Sequence, residues 1–310
     1  MAEVATSART SGTSSAMPDQ LLVVVDPVAR RTDGESVRIA KDVLSAGASS
    51  TKVCLPDGPE EFARALRRRG SRRPVVVGDD RALLRAVGLL HRHRELAACA
   101  LSVVPVGPVL GLTRSLGLPS GAVAAARAVL DGAERRLDLL VDDSDGVVLG
   151  AVGIPPAAAE EDQGDDGTGP GGEAWPGGSR SASASARPWL RTCQSLVRTL
   201  ASSRPVRAAA ATGAAGPSRL RVEVDGVTLV DLDQPVEGVS VMPGTGGVAE
   251  VEVRPVSVGA EAAPLTARGR TVTVSGAHFR YRADAVVSGP VGTRTWVVRE
   301  GAWGLTLPAG

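Results

Sequence analysis

The feature that most constrains the fold is an apolar run that ends in a glycine and two acids. Residues 74–78 read Pro-Val-Val-Val-Gly, and Asp79 and Asp80 follow directly. A short run of β-branched residues is typical of a strand buried on both faces, as in a parallel sheet. Ligands of open α/β sheets bind beyond the carboxyl ends of such strands. The run therefore predicts a parallel sheet with a candidate site that begins at Gly78.

Strand patterns alternate with helix patterns through the first 150 residues. The predicted strands are residues 21–25, 51–55, 74–77, 100–105, 135–141 and 146–152. The predicted helices are residues 35–46, 59–69, 81–91, 109–116 and 121–130. This alternation predicts a three-layer, doubly wound α/β domain.

The pattern changes to short strands of period two between residues 220 and 307. Residues 220–224 read Leu-Arg-Val-Glu-Val, and turns such as Asp225-Gly226 separate the runs. Such a pattern is typical of an antiparallel β-sandwich. We predict a disordered tail at 1–20, an α/β domain at 21–150, a disordered acidic insert at 155–187 and a β-sandwich domain at 188–310.

Charge and cysteine content narrow the function classes. Lys and Arg number 35 and Asp and Glu 34, so the net charge of +1 gives no global attraction to nucleic acid. The cysteines at positions 54, 99 and 193 are far apart, and no Cys-x-x-Cys or Cys/His cluster indicates zinc. No apolar stretch is long enough to span a bilayer, and the Ser/Thr/Ala-rich start has no apolar segment. We therefore expect a cytoplasmic protein.

An arginine cluster between residues 67 and 73 leaves two interpretations open. Arginines occupy positions 67, 68, 69, 72 and 73. The cluster is either a solvated helix end that favours the helix dipole or a contact for an anion or a membrane surface.

Four stretches of the chain carry motifs that follow one another in order. Asp26-Pro27 ends the first predicted strand, and residues 78–82 read Gly-Asp-Asp-Arg-Ala. Residues 105–111 are followed by Arg114, and residues 283–286 read Ala-Asp-Ala-Val. Together they resemble the diacylglycerol kinase catalytic family, which includes bacterial soluble lipid kinases and sphingosine kinases. The family's corresponding motifs are Asn-Pro, Gly-Gly-Asp-Gly-Thr, Pro-x-Gly-Thr-x-Asn-Asp with its arginine, and a stretch that ends in Asp-Gly-Glu.

The resemblance implies ATP-dependent phosphoryl transfer to a lipid hydroxyl, with ATP and Mg²⁺ in a nucleotide cleft between the two domains. It makes Asp80 the catalytic carboxylate near Mg²⁺ and places the family's general base on Val286. The implied cofactor-binding residues are Asp26, Gly78, Asp79, Arg81, Gly107 and Arg114. The implied partner is a lipid substrate or a membrane surface, at which the protein would be peripheral. In keeping with the net charge, no nucleic acid is expected as a partner.

Departures from the family pattern open a second hypothesis. Asp79 adds negative charge where a triphosphate would lie, Pro108 lacks an N–H, and Val286 cannot accept a proton. Arg81 could bind phosphate, fill the site or pair with Asp79. The chain is accordingly either a lipid kinase or a catalytically inactive relative. An inactive relative would act as a binding or regulatory module, or as a nucleotide or small-molecule sensor.

Overall fold

Four parallel strands form the first part of the sheet, in the spatial order 50–54, 20–25, 73–78 and 100–105. The computed structural model describes residues 20–155, 217–256 and 263–309. Up to residue 155, the strands in chain order are β1 (Gln20–Val25), β2 (Ser50–Cys54), β3 (Arg73–Gly78), β4 (Ala100–Pro105), β5 (Ala133–Asp142), β6 (Val147–Val148) and β7 (Val152–Ile154). The four parallel strands are β1 to β4. The helices are α1 (Pro27–Thr32), α2 (Gly34–Gly47), α3 (Pro59–Arg67), α4 (Asp80–Arg92), α5 (Gly111–Ser115) and α6 (Ala122–Asp131), with a 3₁₀ turn at Leu96–Ala98.

Helices cover both faces of the parallel strands because successive side chains of a buried strand point to opposite sides. One face packs against α3 and α4, and the core between them includes strand residues Leu22, Val24 and Val76 with helix residues Phe62 and Leu83. The other face packs against α2 and α6, and the core there includes strand residues Leu21, Val23 and Val75 with helix residues Val37 and Val129. The continuous apolar runs of β1 and β3 thus serve two cores at once, as predicted from the sequence.

The second part of the chain is a set of antiparallel strands around a third core. These strands are β8 (Ser218–Val224), β9 (Val227–Val230), β10 (Pro235–Pro243), β11 (Ala249–Pro255), β12 (Leu265–Gly269), β13 (Thr271–Ala283) and β14 (Val286–Leu307). Along β8 the side chains at Leu220, Val222 and Val224 are buried, which matches the predicted alternation. The third core includes Tyr281 and Trp296, whose rings meet edge to face with centroids 5.3 Å apart.

Strand β14 connects the two parts. Its first half pairs with β13, and its second half is antiparallel to β5 and parallel to β4. The hydroxyl of Ser102 on β4 donates to the hydroxyl of Thr306 on β14 at 2.9 Å, and both side chains are buried. The antiparallel strands therefore extend the hydrogen-bonded network of the parallel sheet, whereas the sequence predicted a separate sandwich.

Several elements differ from the sequence prediction for identifiable reasons. Strand β13 continues through residues 275–278, where its register against β14 shifts and His278 has a φ of 54°. Most residues between Val286 and Thr295 are exposed or half-buried, so this half of β14 has no apolar pattern to detect. Helix α1 was not predicted; Asp26 begins it by accepting from the Val28 N–H at 2.9 Å, and Pro27 follows at the first helical position.

The predicted disordered segments and the domain boundaries at 155 and 188 fall largely on residues outside the described ranges, and they stay predictions. Among the helices that the structure describes, none is both long and apolar enough to cross a membrane.

Candidate functional site

The carboxyl ends of β1, β3 and β4 meet through three backbone hydrogen bonds. The Asp26 N–H donates to the Val77 carbonyl at 2.8 Å, and the Val106 N–H donates to the Gly78 carbonyl at 3.0 Å. The Asp80 N–H donates to the Val109 carbonyl at 2.9 Å. The loops that carry the predicted site residues are therefore joined directly to one another at the sheet edge.

Asp79 occupies the N-terminus of α4 with its own carboxylate. One oxygen, Oδ1, accepts from the N–H groups of Arg81 at 3.1 Å and Ala82 at 3.2 Å. The other, Oδ2, is buried and has no hydrogen-bond partner. Free N–H groups at a helix N-terminus bind anions such as phosphate. In this chain the Asp79 carboxylate is the anion that those groups bind.

Burial raises the pKa of the Asp79 carboxyl above its usual value of 3.8. The charge of nearby Asp26 raises this pKa further, whereas the N–H groups of Ala82 and Arg81 and the charge of Arg81 lower it. The raised pKa shows that a negative charge at Asp79 is costly even before any ligand charge is added.

Two glycines at this edge allow the chain to pack against itself. A Cβ at Gly107 would lie 2.9 Å from the Asp79 Cβ, and Gly107 has a φ of 136° that favours glycine. A Cβ at Gly78 would lie 2.6 Å from the Ala82 Cβ and 3.0 Å from the Asp26 Cβ. The space that these glycines leave is filled by side chains of the protein.

Asp80 anchors the loop that follows β4. Its Oδ2 accepts from the Leu112 N–H at 2.8 Å, and its Oδ1 accepts from the Thr113 N–H at 2.9 Å. These N–H groups belong to the first turn of α5, where Leu110 stands at the N-cap without a side-chain hydrogen bond. Asp80, only 3% exposed, therefore caps α5 from another helix.

Asp26 is held by an arginine rather than left open to a ligand. Its Oδ1 accepts from Arg85 Nη1 at 2.6 Å, and its Oδ2 accepts from the Val28 N–H at 2.9 Å. The Arg85 guanidinium also lies over the Phe62 ring, 5.5 Å from its centroid. Both Asp26 oxygens thus have partners within the chain.

A fourth carboxylate, Asp284, lies between β13 and β14, in the stretch that resembles the family's Asp-Gly-Glu, although no role was predicted for it from the sequence. Asp284 accepts from the N–H groups of Leu149 at 2.8 Å, Gly150 at 2.7 Å and Ala151 at 3.0 Å. Burial raises the pKa of Asp284; the three N–H groups lower it, and the charge of Asp80 raises it. The sequence signal for Asp284 was the resemblance of residues 283–286 to that motif, and Asp284 takes a left-handed φ of 49° in the turn.

Asp80 and Asp284 act on opposite sides of one contact. A Cβ at Gly150 would lie 2.9 Å from both the Asp284 Oδ1 and the Leu112 Cδ1. The Leu112 N–H is bound by Asp80, and the Gly150 N–H is bound by Asp284. The two carboxylates therefore organise the contact between α5 and the loop that precedes β7.

The remaining predicted residues are exposed. The side chain at the predicted general-base position, Val286, is 57% exposed at the start of β14. Arg81 is exposed in the first turn of α4, and Arg114 is exposed in the last turn of α5.

Within the arginine cluster between residues 67 and 73, Arg69 pairs with Glu95, and Arg73 donates to the Val129 carbonyl at 2.6 Å.

The carboxylates and N–H groups of the sheet edge are occupied by contacts within the chain, which bears on Mg²⁺ and ATP. In the part of the chain that the structure describes, no group of three or more His, Cys, Asp or Glu side chains is arranged to hold a metal ion. Asp26 and Asp80 have both oxygens bonded within the chain, and the N-terminus of α4 carries Asp79. The residues present do not fit a magnesium–triphosphate group.

Comparison with known proteins gives similarity at the level of structure. No family model and no curated protein matches the sequence. Two provisionally assigned diacylglycerol kinase structures from Bacillus anthracis str. Sterne are similar to this chain at 12% identity over 94% of it. Their TM-scores are 0.64 and 0.63, and the matches cover 97% and 98% of those chains.

A third solved structure, described as diacylglycerol kinases from the same organism, has a TM-score of 0.61 at 11% identity, with 94% of this chain and 97% of that chain covered. The similarity extends over nearly the whole length of both proteins. It confirms the resemblance inferred from the motifs at the level of the fold. The chain has the mixed helix and sheet fold of these diacylglycerol kinase structures.

Proposed function

We propose that this chain is a binding or regulatory protein with a diacylglycerol kinase fold that does not transfer phosphoryl groups. The observation that carries the proposal is the bonding of Asp80. Both of its oxygens accept backbone N–H groups of α5 at 2.8 and 2.9 Å, and the carboxylate is buried. A carboxylate in this state stabilises a loop, and its burial, rather than its hydrogen bonds alone, keeps its remaining lone pairs from a metal ion in solvent.

Two further features support the absence of phosphoryl transfer. Transfer requires that a metal and backbone donors neutralise the charge of the phosphates. Here the Asp79 carboxylate takes the donors at the α4 N-terminus and adds charge of the same sign as phosphate. The position predicted for the general base is an exposed valine, which cannot accept the proton of a lipid hydroxyl.

The proposal is tested by a transfer assay together with a binding assay. Purified full-length protein is incubated with Mg²⁺, γ-labelled ATP and extracted lipids, and we expect no label in the lipid fraction. In parallel, thermal unfolding of the wild type and of Asp80→Asn is followed as Mg-ATP is added. A nucleotide at one hundred times its Kd stabilises a protein by about 2.7 kcal/mol.

We expect Mg-ATP to change the unfolding temperature of the wild type and of Asp80→Asn by the same amount, because Asp80 takes no part in binding a nucleotide. The substitution keeps one carbonyl oxygen as an acceptor and removes the charge that a metal would need. Label transfer to lipid, or stabilisation by Mg-ATP that Asp80→Asn abolishes, would overturn the proposal.

One observation favours the alternative, an ATP-dependent lipid kinase. The Asp79 Oδ2 atom is buried without a partner, and a cation at the sheet edge would satisfy it. This second candidate predicts the opposite outcome in the same assays: labelled lipid with the wild type and none with Asp80→Asn.

A further inference from the structure

A cavity of about 670 Å³ lies at the other end of helix α4 from the candidate site. Its lining includes His91 and Arg92, in the last turn of the helix whose first residue is Asp80. An α-helix rises 1.5 Å per residue, so these 13 residues place the cavity roughly 20 Å from the acidic sheet edge. The cavity is a feature separate from the site described above.

Four arginines from different elements line this cavity. Arg92 belongs to α4, Arg94 follows that helix, Arg270 precedes β13, and Arg299 lies on β14. All four are exposed. The convergence of these distant positions is produced by the fold and is invisible in the sequence.

The four guanidinium groups form no ion pair or side-chain hydrogen bond with any other residue that the structure describes. Other arginines of the same chain do have such partners, as Arg85 does with Asp26. A helix C-terminus attracts cations, which accounts for Arg92 and Arg94. Arg270 and Arg299 come from the antiparallel part, so the α4 dipole does not explain them.

The two acids of the cavity do not balance this charge. Asp145 Oδ1 lies 2.9 Å from His91 Nε2 and is occupied by that contact. Glu300 forms no ion pair with another described residue, although it lines the same cavity. Four unpaired cations against one unpaired anion leave the cavity positive.

The wall of the cavity is partly apolar. Leu96, Leu139 and Val298 are buried at 4%, 0% and 8% exposure and contribute to the lining. The volume is within the range of about 300–1,000 Å³ that is usual for small-molecule sites. A guanidinium group offers a planar fork of donors that matches phosphate oxygens.

We infer that this cavity binds an organic phosphate, with the phosphate at the arginines and an apolar body against Leu96, Leu139 and Val298. The inference rests on the cavity alone and does not depend on whether the sheet edge takes part in catalysis. The same chemistry is found in a nucleoside monophosphate and in a phospholipid headgroup, and the two sources are separated by experiment.

The test is isothermal titration of the full-length protein with AMP, with dihexanoyl phosphatidic acid and with inorganic phosphate at one ionic strength. We expect saturable binding of AMP or of the short-chain lipid, and weaker binding of inorganic phosphate, which lacks an apolar body. Binding of AMP alone identifies a nucleotide source, and binding of the lipid alone identifies a lipid source; either supports the inference. No saturable binding of AMP or the lipid, or inorganic phosphate bound as tightly as both, would overturn it.

Charge variants test the location of binding. Arg270→Gln with Arg299→Gln should weaken binding at least tenfold, and Glu300→Gln should strengthen it severalfold because it removes the opposing charge. Arg280→Gln is the matched control, since Arg280 is an exposed arginine of β13 outside the cavity lining. Equal losses in the control and the double variant, with all variants folded by circular dichroism, would contradict the assignment.

Nucleotide binding at the cavity can be distinguished from nucleotide binding at the sheet edge by the variant that abolishes it. Stabilisation by ATP that the Arg270→Gln and Arg299→Gln double variant abolishes, and that Asp80→Asn preserves, belongs to this cavity. The reverse pattern belongs to the sheet edge and would count against the cavity.

Discussion

At the scale of single residues, the aspartates of the sheet edge differ in the groups that their carboxylates bind. Asp79 caps the helix to which it is joined, Asp80 caps a helix more than thirty positions away, and Asp26 pairs with Arg85. Each carboxylate accepts hydrogen bonds from helix N–H groups or from a guanidinium group, which would otherwise have no partner. The main effect of these aspartates is therefore on the free energy of unfolding.

Replacement of Asp80 by alanine should lower the free energy of unfolding by about 3 kcal/mol, because the N–H groups of Leu112 and Thr113 lose a charged acceptor. Asp80→Asn, which keeps one carbonyl oxygen, should cost less. Urea denaturation measures both. Asp42→Ala, at an exposed ion pair with Arg38, is the control and should change stability by no more than about 0.5 kcal/mol. An Asp80→Ala protein as stable as the control variant would refute the capping role.

The raised pKa of Asp79 predicts a pH dependence with a definite sign. Between the usual value of 3.8 and the raised value, the folded state binds more protons than the unfolded state. Stability contributed by this group therefore falls as the pH rises through that interval. In Asp79→Asn this contribution is absent, so the stability of the variant relative to the wild type should increase with pH above 3.8 and then become constant. Urea denaturation over a pH series measures both proteins, and a value of variant stability minus wild-type stability that falls with rising pH would contradict the prediction.

At the scale of elements, β14 is the strand on which both parts depend. Trp296 belongs to the core of the antiparallel strands, and Trp303, seven positions later, belongs to the core under α3 and α4. Both indoles are fully buried. The first half of the strand is largely exposed, so it has no apolar alternation for sequence periodicity to detect.

Trp303→Ala should destabilise the protein by about 4 kcal/mol through the cavity it leaves in the core. Trp303→Phe should cost much less, because the indole Nε1 is buried without a hydrogen-bond partner and phenylalanine leaves no donor unsatisfied. Thermal and urea unfolding measure both variants. Val286→Ala at the exposed start of the same strand serves as the control and should be near neutral. Equal losses for phenylalanine and alanine at position 303 would show that the core does not hold the ring as described.

At the scale of the whole molecule, charge is separated in a way that the net charge of +1 conceals. Buried carboxylates gather where β1, β3 and β4 end, and unpaired arginines gather around the cavity at the far end of α4. Anions are disfavoured at the first place and favoured at the second. If the molecule has a site for phosphate, charge favours the arginine cavity.

The sequence by itself determined the parallel strands, their helices, the period-two strands that follow and the resemblance to the diacylglycerol kinase fold. The strands and helices depend on local patterns of apolar residues and turns, which can be read within a window of about ten positions, whereas the resemblance depends on the order of the motifs along the chain. It also placed Asp26, Asp79 and Asp80 at one edge, because the carboxyl ends of parallel strands meet there.

Only the tertiary structure decided what those residues do. Whether Asp80 is open to a metal ion depends on α5, which its carboxylate caps from 32 positions away. The gathering of Arg92, Arg94, Arg270 and Arg299 around one cavity depends on the fold, which brings positions near β13 and on β14 to the residues at the end of α4. Hydrogen bonds and charges act through space over a few ångströms, whereas sequence patterns report only neighbours along the chain.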